Sequence, residues 1–150
     1  MRLTSSVFQH GDNIPARHTC DGANVSPPLA WSGAPKETQS FVLVCSDPDA
    51  PGGTWYHWAI FNIPKGVHDL VEHHPAAGAS PPQARNDFGK QGYGGPCPPR
   101  GHGPHHYRFT LFAMDAARLD VSRTADCREV EAAARARSLA TAELVGVYER

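Results

Sequence analysis

The run Phe41-Val42-Leu43-Val44-Cys45 constrains this chain more than any other stretch. It is unbroken, apolar, partly β-branched and of strand length, and it gives way to Asp47-Pro48-Asp49-Ala50-Pro51. A continuous run of this kind, bounded by turn formers, marks a strand buried on both faces. Two further aromatic, β-rich runs, Trp55 to Ile63 and Tyr107 to Met114, read as strands of the same sort. A shorter candidate is Leu144-Val145-Gly146-Val147-Tyr148, and another lies around Leu3 to Phe8. With 14 glycines, 14 prolines and only 19% charged residues, the chain is patterned for turns and short strands, not for a helical bundle. One stretch reads as helix: Asp126 can cap it, Glu129 stands three residues on, and an Ala/Arg/Glu-rich run continues to Ala140. Pro64 to Pro82, containing His73, His74, Pro75 and Gly78, reads as irregular, with an extended backbone at Pro81-Pro82. The predicted architecture is mainly β: an antiparallel sandwich with a helix near the C-terminus. At 150 residues, without a repeat or a linker, the chain reads as a single domain over 1–150, long enough to bury its own core.

The net charge of -1 supplies no bulk field toward nucleic acid or an anionic membrane. No stretch approaches the roughly 18 consecutive apolar residues of a membrane span. Met1 to Phe8 has no apolar leader core, so the expected location is cytoplasmic. Cys20, Cys45, Cys97 and Cys127 form no CxxC and match no zinc spacing, and they read as four reduced thiols. No cofactor is expected.

Three places carry candidate chemistry. Asp47 follows the buried strand and is pushed toward an extended backbone by Pro48, while Pro51 fixes the far end of the loop. Such a loop holds carboxylates and N–H groups in one geometry, although Asp-Pro sequences are also ordinary turn makers. His57 stands near the start of a strand among Trp55, Trp58 and Ile60, where a histidine is more often a core residue than a ligand. His105 and Tyr107 are two apart on an incoming strand and share one face, with His106 on the other. Both offer donors suited to an anionic oxygen. Gly101, Gly103 and Pro104 before them allow a close approach of backbone to ligand. Asn86 to Tyr107 is dominated by Gly and Pro, a length of loop that is usually functional or disordered; Phe88, Tyr93 and Cys97 within it favour a packed loop. A His₂–carboxylate metal set of Asp47, His57 and His105 is the competing reading, as is a small hydrolase. Ser46 beside Asp47 lacks a GxSxG elbow. His73, His74 and His102 read as surface residues.

These segments resemble the phosphatidylethanolamine-binding protein family, also called Raf kinase inhibitor-like proteins, in its short bacterial and archaeal branch. The resemblance rests on Asp47-Pro48-Asp49-Ala50-Pro51 and Gly103-Pro104-His105-His106-Tyr107. It extends to Cys20-Asp21-Gly22, Ser26-Pro27-Pro28-Leu29 with Trp31, Asn86-Asp87-Phe88-Gly89, Gly94 to Pro99, and Ala142 to Gly146. It implies a sandwich around a large antiparallel sheet with helix near the C-terminus. It implies binding and not catalysis, in a pocket for phosphate-like anions such as a phospholipid head group. Carried over residue by residue, that pocket comprises Asp47, Ala50, Pro51, His57, Pro99, His105 and Tyr107. His57, His105 and Tyr107 would donate to the anion, Asp47 would accept from a histidine, and Pro51 and Pro99 would form rigid walls. The implied partners are the anion or head group and, by analogy of fold, a protein such as a kinase; a homodimer is left open. Two departures stand out. His106 replaces the family's frequent Arg, on the face turned from the pocket, and only Gly52 to Tyr56 separate Pro51 from His57, which opens the mouth.

Overall fold

The computed structural model describes residues 1–75 and 81–150. Its elements are β1 (Arg2–Thr4), β2 (Leu29–Ser32), β3 (Ser40–Asp47), β4 (Trp55–Pro64), β5 (Asp69–Leu70), β6 (His105–Met114), α1 (Cys127–Arg137) and β7 (Ser138–Tyr148), with one 3-10 turn at Ala16–His18. β3 is buried at every position, and its alternating side chains feed two cores. Phe41, Leu43 and Cys45 pack with Leu3, Leu29, Trp31 and Leu70 of the small sheet, Trp31 meeting Phe41 at 5.5 Å between rings. Val42 and Val44 pack with Cys127, Val130 and Ala134 of α1. The unbroken apolar run therefore follows from a sheet covered on one face by strands and on the other by a helix. Each such side chain contributes roughly 1.5–3 kcal/mol by leaving water.

The large sheet has the order β4-β3-β6-β7 and the small one β1-β2-β5, with all these pairings antiparallel. The mainly β expectation, with one α-helix near the C-terminus among the described residues, matches this architecture.

Several boundaries differ from expectation. α1 starts as read, with Asp126 Oδ1 accepting from the Glu129 N–H at 2.9 Å. It stops at Arg137, not Ala140, because Ser138 turns extended and Met114 and Ala113 of β6 pair with Ser138 and Ala140. Ladder pairing outweighs the local helix preference of that Ala-rich tail. β7 consequently begins well before Leu144. β1 ends at Thr4; the chain then leaves the sheet with Ser5 Oγ donating to Pro28 O at 2.6 Å, yet Phe8 still reaches the core. The irregular stretch from Pro64 contains the short β5, and residues 76–80, including Gly78, lie outside the described residues.

The cysteine expectation is corrected. Cys20 and Cys97, read as free thiols, form a disulfide with Cα atoms 5.4 Å apart; Cys45 and Cys127 are the free, buried pair. The two loops that carry the bridge converge through hydrogen bonds that spacing could not reveal. The Cys20 N–H donates to Pro96 O at 3.0 Å, and the Gly95 N–H to Asn24 Oδ1 at 2.8 Å.

Candidate functional site

Asp47 closes β3, and its two carboxylate oxygens hold two different things. Oδ1 accepts from the Asp49 N–H at 2.8 Å, locking the turn, while Oδ2 lies 2.6 Å from His105 Nδ1. A carboxylate can only accept here, so Nδ1 carries the proton. β3 and β6 pair through Ser46↔Arg108, which brings Asp47 opposite Tyr107 and diagonal to His105 on the same face. Both partners are nearly sealed from water, Asp47 at 3% and His105 at 1% exposure. The neighbouring His106 points outward, as strand alternation requires. Its N–H and Nδ1 both meet Asp49 Oδ2, at 2.8 and 2.7 Å, tying the turn to β6. Burial pushes the Asp49 carboxyl up, but the hydrogen bonds and charge from His106 win and hold it below the usual range.

His57 reaches the same place by an irregularity. Cys45 pairs with Trp58 and Ser46 with Tyr56, so His57 is the extra residue of a bulge in β4. Bulges break the two-residue alternation and re-aim side chains beside sites. His57 packs edge-to-face on Tyr107 with ring centroids 5.2 Å apart. Its Nδ1–H donates to Gly94 O at 2.6 Å, and the Gly94 N–H returns to His57 O at 3.0 Å. Burial lowers the pKa of this imidazole, more than the Gly94 carbonyl raises it. A neutral ring with Nδ1–H so committed offers its Nε2 as an acceptor, which differs from the donor role the resemblance implied.

The long Gly/Pro loop is packed where it passes His57. Asn86 organises it, accepting from the Phe88 and Lys90 N–H groups and donating to Gly92 O. Tyr93 is partly buried, and its hydroxyl donates to His18 O at 2.6 Å. Gly95 can only be glycine, because a Cβ there would meet His18 O at 2.3 Å.

A cavity of about 210 Å³ results, lined by Asp47, Ala50, Pro51, Trp55, His57, Phe88, Cys97, Pro98, Pro99 and His105. That is below the size of drug-like ligand sites and suits a small group. Six of the seven sequence-derived residues line it. Tyr107 does not: it is fully buried behind His57, and burial pushes its phenol far up, so it stays protonated. Trp55, Phe88, Cys97 and Pro98 were not singled out for the site. Phe88 is 44% and Trp55 38% exposed, and their rings meet edge-to-face at 5.5 Å beside the mouth. The disulfide makes Cys97 part of a fixed wall.

His102 is exposed, as read, but it also has a partner in the site. Its Nδ1 lies 2.6 Å from His105 Nε2. A histidine three residues before His105 across a glycine-rich turn was the available signal. Of the others, His73 is exposed, and His74 is half-buried against Trp58 at 6.1 Å between rings. Among the described residues, no group of three or more His, Cys, Asp or Glu converges as a metal site would.

Comparison with known proteins adds three findings. The model of the family described as phosphatidylethanolamine-binding protein matches residues 4–149. A "UPF0098 protein" of Methanothermobacter thermautotrophicus is 46% identical, the match covering 100% of this chain and 99% of the relative; one from Aquifex aeolicus is 43% identical, covering 100% and 89%. The crystal structure of Escherichia coli YbcL, described as a member of the mammalian PEBP family, superposes with a TM-score of 0.93 at 39% identity, over 99% of this chain and 98% of that one. A phosphatidylethanolamine-binding protein homolog of Chlamydia trachomatis gives 0.87 at 36% identity, over 99% and 97%.

Proposed function

Because this chain belongs to the phosphatidylethanolamine-binding protein family, we propose that it binds a small phosphorylated anion between Asp47, His57 and His105. The observation that supports this reading is the buried Asp47–His105 pair at the foot of a small, proline-walled cavity. Asp47 fixes the tautomer of His105 and leaves Nε2 for the ligand, where a proton taken up on binding would make it a donor for a phosphate oxygen. His57, neutral and accepting, complements a ligand that also carries a donor, such as a P–OH or the ammonium of phosphoethanolamine. Tyr107 supports the two rings from behind.

Binding without turnover is favoured over hydrolysis by the fate of the nucleophiles. The one thiol in the wall, Cys97, is oxidised, and Cys45 is buried with its pKa raised by burial. The exposed Trp55 and Phe88 suit an apolar body attached to the anion, whether lipid or a protein partner such as a kinase. No helix of the described residues is long and apolar enough to cross a membrane. The Cys20–Cys97 bridge belongs in an oxidising compartment or in a thermophile's cytosol, so the cytoplasmic expectation requires a cytosol that keeps disulfides.

The test is thermal unfolding with and without inorganic phosphate. At about 100 times Kd, binding adds roughly 2.7 kcal/mol to the wild type. His105→Asn keeps an N–H for Asp47 but removes Nε2, and is expected to fold and to lose the phosphate response. Phosphoethanolamine and phosphatidylethanolamine vesicles then separate a free anion from a head group. An undiminished phosphate response in His105→Asn would refute the assignment.

A further inference from the structure

His105 has two ring nitrogens, and both are already taken. Nδ1 is held by Asp47 Oδ2 and Nε2 by His102 Nδ1, each at 2.6 Å. The ring itself is buried, with the His102 ring edge-to-face on it at 4.9 Å between centroids. An imidazole nitrogen makes one in-plane hydrogen bond. An anion that accepts from His105 Nε2 and a His102 ring that pairs with the same nitrogen therefore exclude each other.

We propose that His102 is a competitive gate on the anion site, occupying the ligand-facing nitrogen of His105 until an anion displaces it. This rests on the anion-pocket reading and adds a residue to it. The protonation of the pair fits a gate. With His105 Nδ1–H donating to Asp47, a neutral His105 has a bare Nε2, and His102 must supply the single N–H between the rings. An anion needs the reverse, a proton on His105 Nε2, which leaves no place for the His102 N–H. Binding is thus an exchange in which His105 gains a proton and His102 departs. The groups facing this exchange are Asp47 from β3, His57 from the β4 bulge and Tyr107 behind, while the Asp49–His106 pair lies on the outward side.

The backbone permits the departure. His102 stands between Gly101 and Gly103, with φ of 77° and 88°, and a Cβ at either would meet nothing within 4 Å. The turn is anchored on both sides, by the Gly101 N–H on Arg150 O at 2.9 Å and the His102 N–H on Pro99 O at 3.2 Å. The anchors hold the main chain while the exposed side chain rotates out. Pro99 is itself part of the cavity wall, so opening leaves the wall in place.

The experiment measures phosphate affinity and association rate by calorimetry and stopped flow for the wild type, His102→Ala and His106→Ala. Releasing one competing hydrogen bond predicts about five-fold tighter binding in His102→Ala, carried mainly by faster association. His106→Ala, which loses only the outward contact with Asp49, serves as the neighbouring control and is expected to stay within two-fold of wild type, about the effect of an exposed pair. Unchanged or weaker binding in His102→Ala, with the wild type binding normally, overturns the gate and leaves the pocket reading standing. Absence of binding in both overturns the pocket reading and the gate with it. Histidine nitrogen NMR on the ligand-free protein gives a separate readout: His102→Ala must move the His105 Nε2 resonance, and an unmoved resonance overturns the pairing.

Discussion

His105 Nδ1 donates to Asp47 Oδ2 at 2.6 Å across the end of the β3–β6 ladder, with both side chains buried. One carboxylate thereby sets the tautomer of the imidazole, while its other oxygen locks the turn that walls the cavity. Asp47→Asn keeps the size but replaces the charged acceptor of the His105 Nδ1–H by a neutral amide. Charge-assisted hydrogen bonds contribute roughly 1.5–3 kcal/mol, so calorimetry is expected to show phosphate affinity falling about ten-fold or more. Asp47→Ala additionally leaves the buried His105 Nδ1–H without its acceptor, and denaturant unfolding is expected to show a loss of about 1–3 kcal/mol. Full affinity in Asp47→Asn would remove the carboxylate from the account.

The bulged His57 makes stability depend on pH. Burial holds its folded pKa below 6.5, so on acidification the unfolded chain takes up the proton first. Its contribution is complete above pH 6.5 and is lost as pH falls through the lower folded value. Burial lowers half-buried His74 too, which acts in the same direction. Urea unfolding between pH 8 and 5 is expected to show falling stability in the wild type and a shallower fall in His57→Gln. Parallel curves would assign the acid sensitivity elsewhere.

The disulfide closes a long loop, with a sequence separation of 77. Its reduction, or Cys97→Ser, is expected to cost about 2–5 kcal/mol. Thiol titration checks the pairing. The oxidised protein should yield two thiols, Cys45 and Cys127, and only after unfolding, because both are buried. Four reactive thiols in unfolded, never-reduced protein would contradict the bridge.

Gly95→Ala tests the loop that carries the wall. The added Cβ would meet His18 O at 2.3 Å and Asn24 Oδ1 at 2.4 Å, neither able to retreat without breaking the contacts beside Cys20. Overpacking of this kind costs roughly 1–3 kcal/mol. Thermal unfolding measures it, and Gly52→Ala, with open space around the site, is the comparison expected to be near neutral.

What the chain disclosed about itself depended on local pattern. β3, β4 and β6 were legible because apolar runs of strand length stand between turn formers, and Asp47 and His105 because strand ends fix their faces. The end of α1 was not legible, since the competition between helix and ladder at Ser138 is decided by β6. Nor was the bulge at His57, which depends on register with β3, nor the Cys20–Cys97 bridge, which depends on two distant loops meeting. The contact of exposed His102 with His105 was not legible for a related reason: the two are close in sequence, but the turn through Gly101 and Gly103, both at positive φ, brings the rings together.

The central claim, that His105 presents its outer nitrogen to a phosphorylated anion, is tested most directly by nitrogen NMR of the histidine rings during a phosphate titration. The predicted result is that His105 Nε2 moves to the protonated range, saturating with the calorimetric affinity, while exposed His73 does not respond to phosphate. Saturable phosphate binding that leaves His105 Nε2 unmoved, or no binding at all, would contradict it.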